Sequence, residues 1–397
     1  MKTVGIVAEY NPFHAGHRKQ FDRVKAEFGE ETAIVCAMSG NFVQRGAPAV
    51  MDKTLRAKAA VACGADLVVE LPTTVSLSSA EGFAAGGVGI LSKLCDALCF
   101  GAETGEAELL METARVLLSE DFSPLLRQEL DSGKSFPAAR AGALAQMGLS
   151  GEILRRPNDI LAVEYCKAIL ELGASLVPLP LPRQGAGHGQ ALTETGGQFA
   201  SASALRTLWQ NGGADAAAPY VPAEVLPLYR EAFSAGQYTD LAAAQRCQLA
   251  LLRSRCAGTA PFAQVRGISE GLEHRLKAAV RSSTTHAELL DSLTTVRYPR
   301  ARMRRLAMDA ALDYSADAFP ALPPYLHLLG AQKDALPLLK AASLPVSHSL
   351  ARLAEQNAPC RAVVDAQLRA CDFGALCRKK PEPMGGALRQ KIIFLTK

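Results

Sequence analysis

Thr3-Val4-Gly5-Ile6-Val7-Ala8-Glu9-Tyr10-Asn11-Pro12-Phe13-His14-Ala15-Gly16-His17 is the stretch that decides the fold. The apolar run Thr3 to Ala8 reads as a buried strand, Asn11-Pro12 breaks it, and an amphipathic helix opens at Ala15. His14 and His17, three positions apart in a first helical turn, share a face beside the unpaired amides of the helix start, an end that favours anions. Gly16, with no side chain between them, lets a nucleotide lie against the backbone. A bare histidine pair is ordinarily solvated or structural; after a strand and at a helix start it points to phosphate chemistry.

Outward from this junction, the first 180 or so residues alternate between strand-like and helix-like segments. The spacing predicts strands at Thr3 to Ala8, Thr32 to Met38, Asp66 to Leu71, Ala97 to Phe100 and Ser175 to Leu179. Between them it predicts helices at Ala15 to Phe28, Asp52 to Gly64, Ala80 to Leu94, Glu106 to Leu118 and Asp159 to Leu172. The fold class is therefore α/β, a Rossmann-like parallel sheet covered by helices, with ligands expected beyond the carboxyl ends of the strands. After Arg206 strands nearly vanish and Ala/Leu/Arg-rich helical stretches take over, with Asn211-Gly212-Gly213 as the expected linker. That gives a catalytic domain over 1–212 and a mostly α-helical domain over 213–397, with Ile392-Ile393-Phe394-Leu395 docking back on the fold.

At 397 residues the chain exceeds one ordinary core, consistent with two domains. Hydrophobic residues at 49% and charged ones at 21% describe a soluble globular protein. No apolar run would span a bilayer, and no signal-peptide core follows Met1, so a cytoplasmic location without membrane association is expected. Ten cysteines form no C-x-x-C pair and read as reduced, mostly core residues, with no metal site expected. Residues 1–200 carry 18 Lys+Arg against 23 Asp+Glu, whereas 201–397 carry 25 against 16. A basic second half favours a polyanionic partner over a small molecule.

Two further segments fall where a site would form. Ser39-Gly40-Asn41-Phe42-Val43-Gln44-Arg45-Gly46 follows the second strand, and its Asn41, Gln44 and Arg45 are placed to hydrogen-bond a substrate over the active site. Asp52, Lys53 and Arg56 follow on the next helix. Phe199-Ala200-Ser201-Ala202-Ser203-Ala204-Leu205-Arg206 puts serines at a helix start and an arginine one turn on, a pattern that serves either as an N-cap or as a phosphate site. With His14 and His17 ahead of it, this order resembles the HIGH-type nucleotidyltransferases and class I aminoacyl-tRNA synthetases, although the KMSKS lysines of the synthetases are absent.

The resemblance narrows when all motifs are taken together. E-Y-N-P-F-H-A-G-H at Glu9 to His17, S-G-N-F-V-Q-R-G at Ser39 to Gly46, G-A-D-L-V-V-E-L-P at Gly64 to Pro72, F-G-A-E at Phe100 to Glu103 and R-P-N-D-I-L-A-V-E-Y at Arg156 to Tyr165 resemble the bacterial tRNA(Met) cytidine acetate ligases. So do T-V-R-Y-P-R-A-R-M-R-R at Thr295 to Arg305 and P-Y-L-H-L-L-G at Pro324 to Gly330, so that the likeness covers nearly the whole chain. It implies ATP-dependent N4-acetylation of the wobble cytidine of elongator tRNA(Met) from free acetate, through acetyl-adenylate, with magnesium accompanying ATP. It also implies an ATP site from Val7, Ala8, Glu9, Tyr10, Asn11, Pro12, Phe13, His14, Ala15, Gly16, His17 and Gln20, with Gly101, Asn158 and Arg183. Ser201 and Ser203 join that site by the second signature, and His14, His17 and Arg206 would offset phosphate charge in catalysis. Val296 and Pro299 depart from the family pattern, where lysine and threonine are expected.

Arg297, Arg300, Arg302, Arg304 and Arg305 put five arginines within nine residues, beside Tyr298. Such a run is either a solvated helix face or a clamp for RNA phosphates with a tyrosine to stack on a base, and it is the expected tRNA contact. His188, His274, His286, His327 and His348 have no partner identifiable from sequence and read as structural or exposed. Two other functions share these signatures: a small-molecule adenylyl- or cytidylyltransferase, which leaves the basic half unexplained, and a non-catalytic RNA-binding protein, which leaves the intact His14, Gly16, His17 and Arg206 unexplained.

Overall fold

The alternation of the first half closes into an eight-stranded sheet in the computed structural model, which describes residues 2–182, 200–269 and 271–395. Its strands are β1 Thr3–Ala8, β2 Ala33–Ser39, β5 Leu67–Leu71, β6 Ala97–Ala102, β7 Val177–Pro182, β8 Leu326–Gln332, β9 Val346–Ser347 and β10 Ile393–Leu395. β3 Phe42–Val43 and β4 Ala47–Pro48 form a separate antiparallel hairpin. The sheet runs β10-β8-β5-β2-β1-β6-β7, with β9 also on β8. Neighbours from β5 to β7 are parallel, and β8 meets β5 antiparallel. β2 and β5 are buried at every residue, which is why they read as unbroken apolar runs rather than alternating ones.

Helices α1 Ala15–Phe28, α2 Lys53–Ala62, α3 Thr73–Ser76, α4 Ala80–Leu91, α5 Ala107–Leu118, α6 Phe122–Asp131, α7 Phe136–Gln146 and α8 Pro157–Glu171 belong to the first half. They are followed by α9 Ala202–Gly212, α10 Leu226–Ser234, α11 Leu241–Arg255, α12 Leu272–Ser282, α13 His286–Leu293, α14 Arg300–Ala311, α15 Leu350–Ala354 and α16 Ala358–Leu376. At Gly87 an added Cβ would stand 2.5 Å from Val7 Cγ2, so the missing side chain is what lets α4 lie against β1. Strand order reverses about the β1–β6 pair, and such a reversal opens a crevice at the carboxyl ends of those two strands.

The five strands and five helices predicted for the first half are all present, with ends shifted by a few residues. The second half differs more. Leu326–Gln332 and Ile393–Leu395 are strands of the same sheet, so the sheet draws on both halves of the chain. Gly212-Gly213 ends a helix: Gly213, at φ 69°, donates its N–H to the Trp209 carbonyl as a C-cap. Packing does not pause there, because Leu205 and Trp209 before it share a core with Ala214, Ala217 and Tyr229 after it, beneath Tyr10 and Phe13. A second core, running from Leu249 to Ala311, belongs to α11–α14 alone. The tail docks as expected, with β10 on β8 and Arg378 paired to Asp52 at 2.7 Å. Among the described residues no helix is long and apolar enough to cross a membrane.

Candidate active site at the sheet reversal

The turn after β1 is built from inside. Tyr10, at φ 44°, is buried with its ring edge-on to Phe13 at 4.9 Å and to His17 at 4.8 Å, and its hydroxyl meets Cys36 Sγ at 3.2 Å. Tyr10 and Phe13 are therefore core side chains. Asn11 Oδ1 accepts the Val50 amide at 2.7 Å, and the Tyr229 hydroxyl donates to the Phe13 carbonyl at 3.0 Å. Val7 and Ala15 are half-buried, Ala8 and Pro12 buried, and Gln20 Nε2 lies 3.5 Å from Cys99 Sγ on β6.

His14 is the N-cap of α1 rather than a residue of its first turn. Its Nδ1 accepts the Gly16 amide at 3.1 Å, while His17 Nδ1 accepts the His14 amide at 3.2 Å, a reciprocal capping box made by two imidazoles. A ring nitrogen that accepts an amide proton carries none of its own, so this pattern assigns the proton of each neutral ring to Nε2. The rings stack at 3.8 Å between centroids. The two stacked rings, when neutral, thus both carry their N–H on Nε2. Gly16 serves this arrangement directly, for a Cβ there would stand 2.9 Å from His14 Cε1.

Arg56, wholly buried, ties three chain ends together: Nε donates to the Met51 carbonyl at 3.0 Å, Nη1 to the Glu9 carbonyl at 2.5 Å and Nη2 to the Gly40 carbonyl. Burial lowers its pKa to about 10. The Glu9 carboxylate accepts the Gln44 amide at 2.7 Å, so the β3–β4 hairpin hangs from the end of β1. Burial pushes the Glu9 carboxyl above its ordinary value against the Gln44 hydrogen bond and the charges of Arg56, Arg206 and Arg45. Beneath the hairpin, Lys53 Nζ lies 2.7 and 2.8 Å from the two Glu70 oxygens, with His327 Nδ1 and Gln367 Nε2 on the same carboxylate. His327, read from sequence as partnerless, is therefore one of the groups that pin β8 and α16 to the sheet. Although burial alone would raise it, Lys53 and His327 hold Glu70 below the ordinary carboxylate range.

Across the crevice, Ser201 caps α9 by accepting the Ala204 amide at 3.2 Å, and its hydroxyl meets that of Ser203 at 3.0 Å. Arg206 Nη1 donates to the Asn11 carbonyl at 2.7 Å, which brings the second signature against the first. Gly101 is the exposed residue of β6, opposite Leu181 of β7. Asn158, at the start of α8, has its side chain on Glu103. Glu103 and Asp159 cap each other's segments, Asp159 accepting the Glu103 and Thr104 amides at 2.8 Å and Glu103 accepting the Asp159 amide at 2.8 Å. Arg183 and His188 lie outside the described residues. His14, His17, Glu9, Gly101, Asn158, Ser201 and Arg206 thus all lie on strand ends, turns and first helical turns at one edge of the sheet, whereas the positioning roles of Arg56, Glu70 and Glu103 are not legible in the sequence. Glu70 and Glu103 stand within quoted motifs, and Arg56 on the helix that follows one.

The arginine segment divides by face. Arg302 Cζ sits 5.1 Å from the Tyr298 ring, and its Nη2 lies 3.4 Å from the Gly267 carbonyl. Arg305 Nη1 lies 3.4 Å from the Gln44 carbonyl. Tyr298 is buried under Arg302 in the α11–α14 core and does not offer a ring for base stacking. Arg300 pairs with Asp291, and Arg304, one turn on, makes no hydrogen bond or ion pair with another described residue.

Residues 1–386 match the family described as HIGH Nucleotidyl Transferase. Over 422 aligned residues covering all of both chains, the sequence is 33% identical to the tRNA(Met) cytidine acetate ligase of Acetivibrio thermocellus. It is 30% identical to that of Clostridium tetani, covering 99% of this chain and 100% of the relative. The fold matches Thermotoga maritima TmcAL bound with alpha-thio ATP over the full length of both chains, with a TM-score of 0.88 and 27% identity, and the apo form with a TM-score of 0.91 and 28% identity.

Proposed function

We propose, since this chain belongs to the HIGH nucleotidyltransferases and among them to the tRNA(Met) cytidine acetate ligases, that it acetylates N4 of the wobble cytidine of elongator tRNA(Met) in the cytoplasm, using ATP and acetate. What supports the reading is the capping box of His14 and His17 at the sheet reversal, together with Arg206 hydrogen-bonded to the Asn11 carbonyl of the same turn. In the first step an acetate oxygen bonds to the α-phosphorus of ATP, the bond from that phosphorus to the oxygen bridging to the β-phosphate breaks, and pyrophosphate leaves. The two imidazole N–H groups and Arg206, with Arg183, offset the negative charge that gathers on the phosphates, and Ser201 and Ser203 with the α9 amides add hydrogen bonds. In the second step the exocyclic N4 attacks the acetyl carbonyl, the carbonyl–phosphate bond breaks, AMP leaves and the amine loses a proton. Positioning and electrostatics suffice, so no side-chain nucleophile is assigned.

Labour divides between 1–212 for ATP and acetate and 213–397 for RNA, as a division of roles on a shared sheet. Arg297, Arg300 and Arg304 carry the RNA contact, with Arg302 and Arg305 securing the helix that presents Arg300 and Arg304. The test is incubation with ATP and labelled acetate, with and without tRNA(Met). Acetyl-AMP and pyrophosphate are expected in both cases and N4-acetylcytidine only with tRNA. An AMP adduct of a different acid, or tRNA binding with no ATP turnover, refutes the reading.

A further inference from the structure

The β3–β4 hairpin joins two regions that the sequence keeps far apart. Its Gln44 amide donates to Glu9 at the end of β1, and two residues later Gly46, at φ 78°, lies against α14 so closely that a Cβ would stand 2.7 Å from the Arg305 amide nitrogen. Two residues of chain reach about 7 Å. The basic helix therefore borders the crevice directly. Arg45 stands between these anchors, exposed, with no hydrogen bond or ion pair to another described residue. Its charge is felt on both sides: it adds to burial in lowering Arg206, where Glu9 opposes, and, with Arg300, adds to burial in lowering Arg304. Arg304 and Arg300 in turn add to burial in lowering His286 at the start of α13. Four guanidinium groups, of which Arg300 meets Asp291 and Arg206 feels Glu9 while Arg45 and Arg304 make no ion pair with another described residue, are arranged for an anion longer than one phosphate.

We propose that Arg45, at the tip of the hairpin, binds a phosphodiester of the RNA strand as it passes from the Arg300–Arg304 face of α14 into the crevice, so that the hairpin guides the target nucleotide to the adenylate. This rests on the function proposed above. The shared chemistry is phosphate, and the competing source is the triphosphate of ATP, to which the function proposed above assigns Arg206.

The test uses the full chain with Arg45→Ala and Arg45→Lys, and Arg127→Ala on exposed α6 as a control for loss of one charge. Three quantities are read: acetate-dependent ATP–pyrophosphate exchange without RNA, Kd for tRNA(Met), and the slope of log K against log salt. With Arg45→Ala, Kd rises about tenfold and the slope shallows by about 0.7, one single-strand contact. Exchange changes less than twofold, Arg45→Lys retains the slope, and Arg127→Ala moves none of the three. If exchange falls with Arg45→Ala, the residue serves ATP and the proposal is overturned. If Kd and slope match those of Arg127→Ala in a wild-type enzyme that acetylates tRNA, this inference alone fails; a wild-type enzyme that forms no N4-acetylcytidine removes the function and the guide together.

Discussion

Replacing Gly16 with alanine should cost the enzyme its adenylation rate while leaving its stability nearly unchanged. The new Cβ would stand 2.9 Å from His14 Cε1 and 3.1 Å from Nδ1, so the ring must swing away. It then gives up the Gly16 amide at 3.1 Å and its 3.8 Å stack on His17, and its Nε2–H moves with the ring. Losing the cap costs about 1 kcal/mol, and alanine in place of glycine in a helix returns about 1 kcal/mol. The two nearly cancel, leaving the melting temperature within roughly 2 °C of wild type. Misplacing one charge-stabilising donor costs about 3 kcal/mol, a hundredfold in rate. Acetate-dependent ATP–pyrophosphate exchange, read beside thermal denaturation, measures both. His14→Asn is the companion variant: asparagine is an excellent N-cap but brings no Nε2–H, so it should fold like wild type and turn over as slowly. Wild-type exchange in Gly16→Ala would refute the claim that the cap positions the ring for phosphate.

Three further outcomes are expected. Glu70→Gln leaves Lys53, 1% exposed, without its buried anion and should lower the unfolding free energy by about 3–5 kcal/mol in urea titration; a loss below about 1 kcal/mol would show the ion cluster to be dispensable. Arg300→Ala with Arg304→Ala should shallow the salt dependence of tRNA binding by about 1.4, two single-strand contacts, and an unchanged slope would make this face merely solvated. Burial, opposed by Arg266, raises Asp309 from 3.8 to about 6. The folded state then holds a proton that the unfolded state has already released, so this group's contribution is present below about pH 4 and lost as pH rises toward 6, by roughly 3 kcal/mol. The stability of Asp309→Asn relative to wild type should therefore climb with pH across that window, and a flat difference would contradict the shift.

The sequence by itself determined the parallel sheet of the first half, because buried parallel strands are unbroken apolar runs and the helices between them carry their own periodicity. It also determined where phosphate chemistry would sit, since a strand, a turn and paired histidines at a helix start are local in the chain. Tertiary structure decided what depends on partners far away. Leu326–Gln332 has an apolar pattern that fits helix or strand, and only pairing with β5 and the anchoring of His327 to Glu70 make it a strand. The five arginines look alike in sequence; Tyr298, Gly267, Gln44 and Asp291 occupy some, while Arg304 feels the charge of Arg45. The tautomers of His14 and His17 belong to the same class, for a residue type states which protons a ring can hold, but the amides that meet each nitrogen decide where the proton stays.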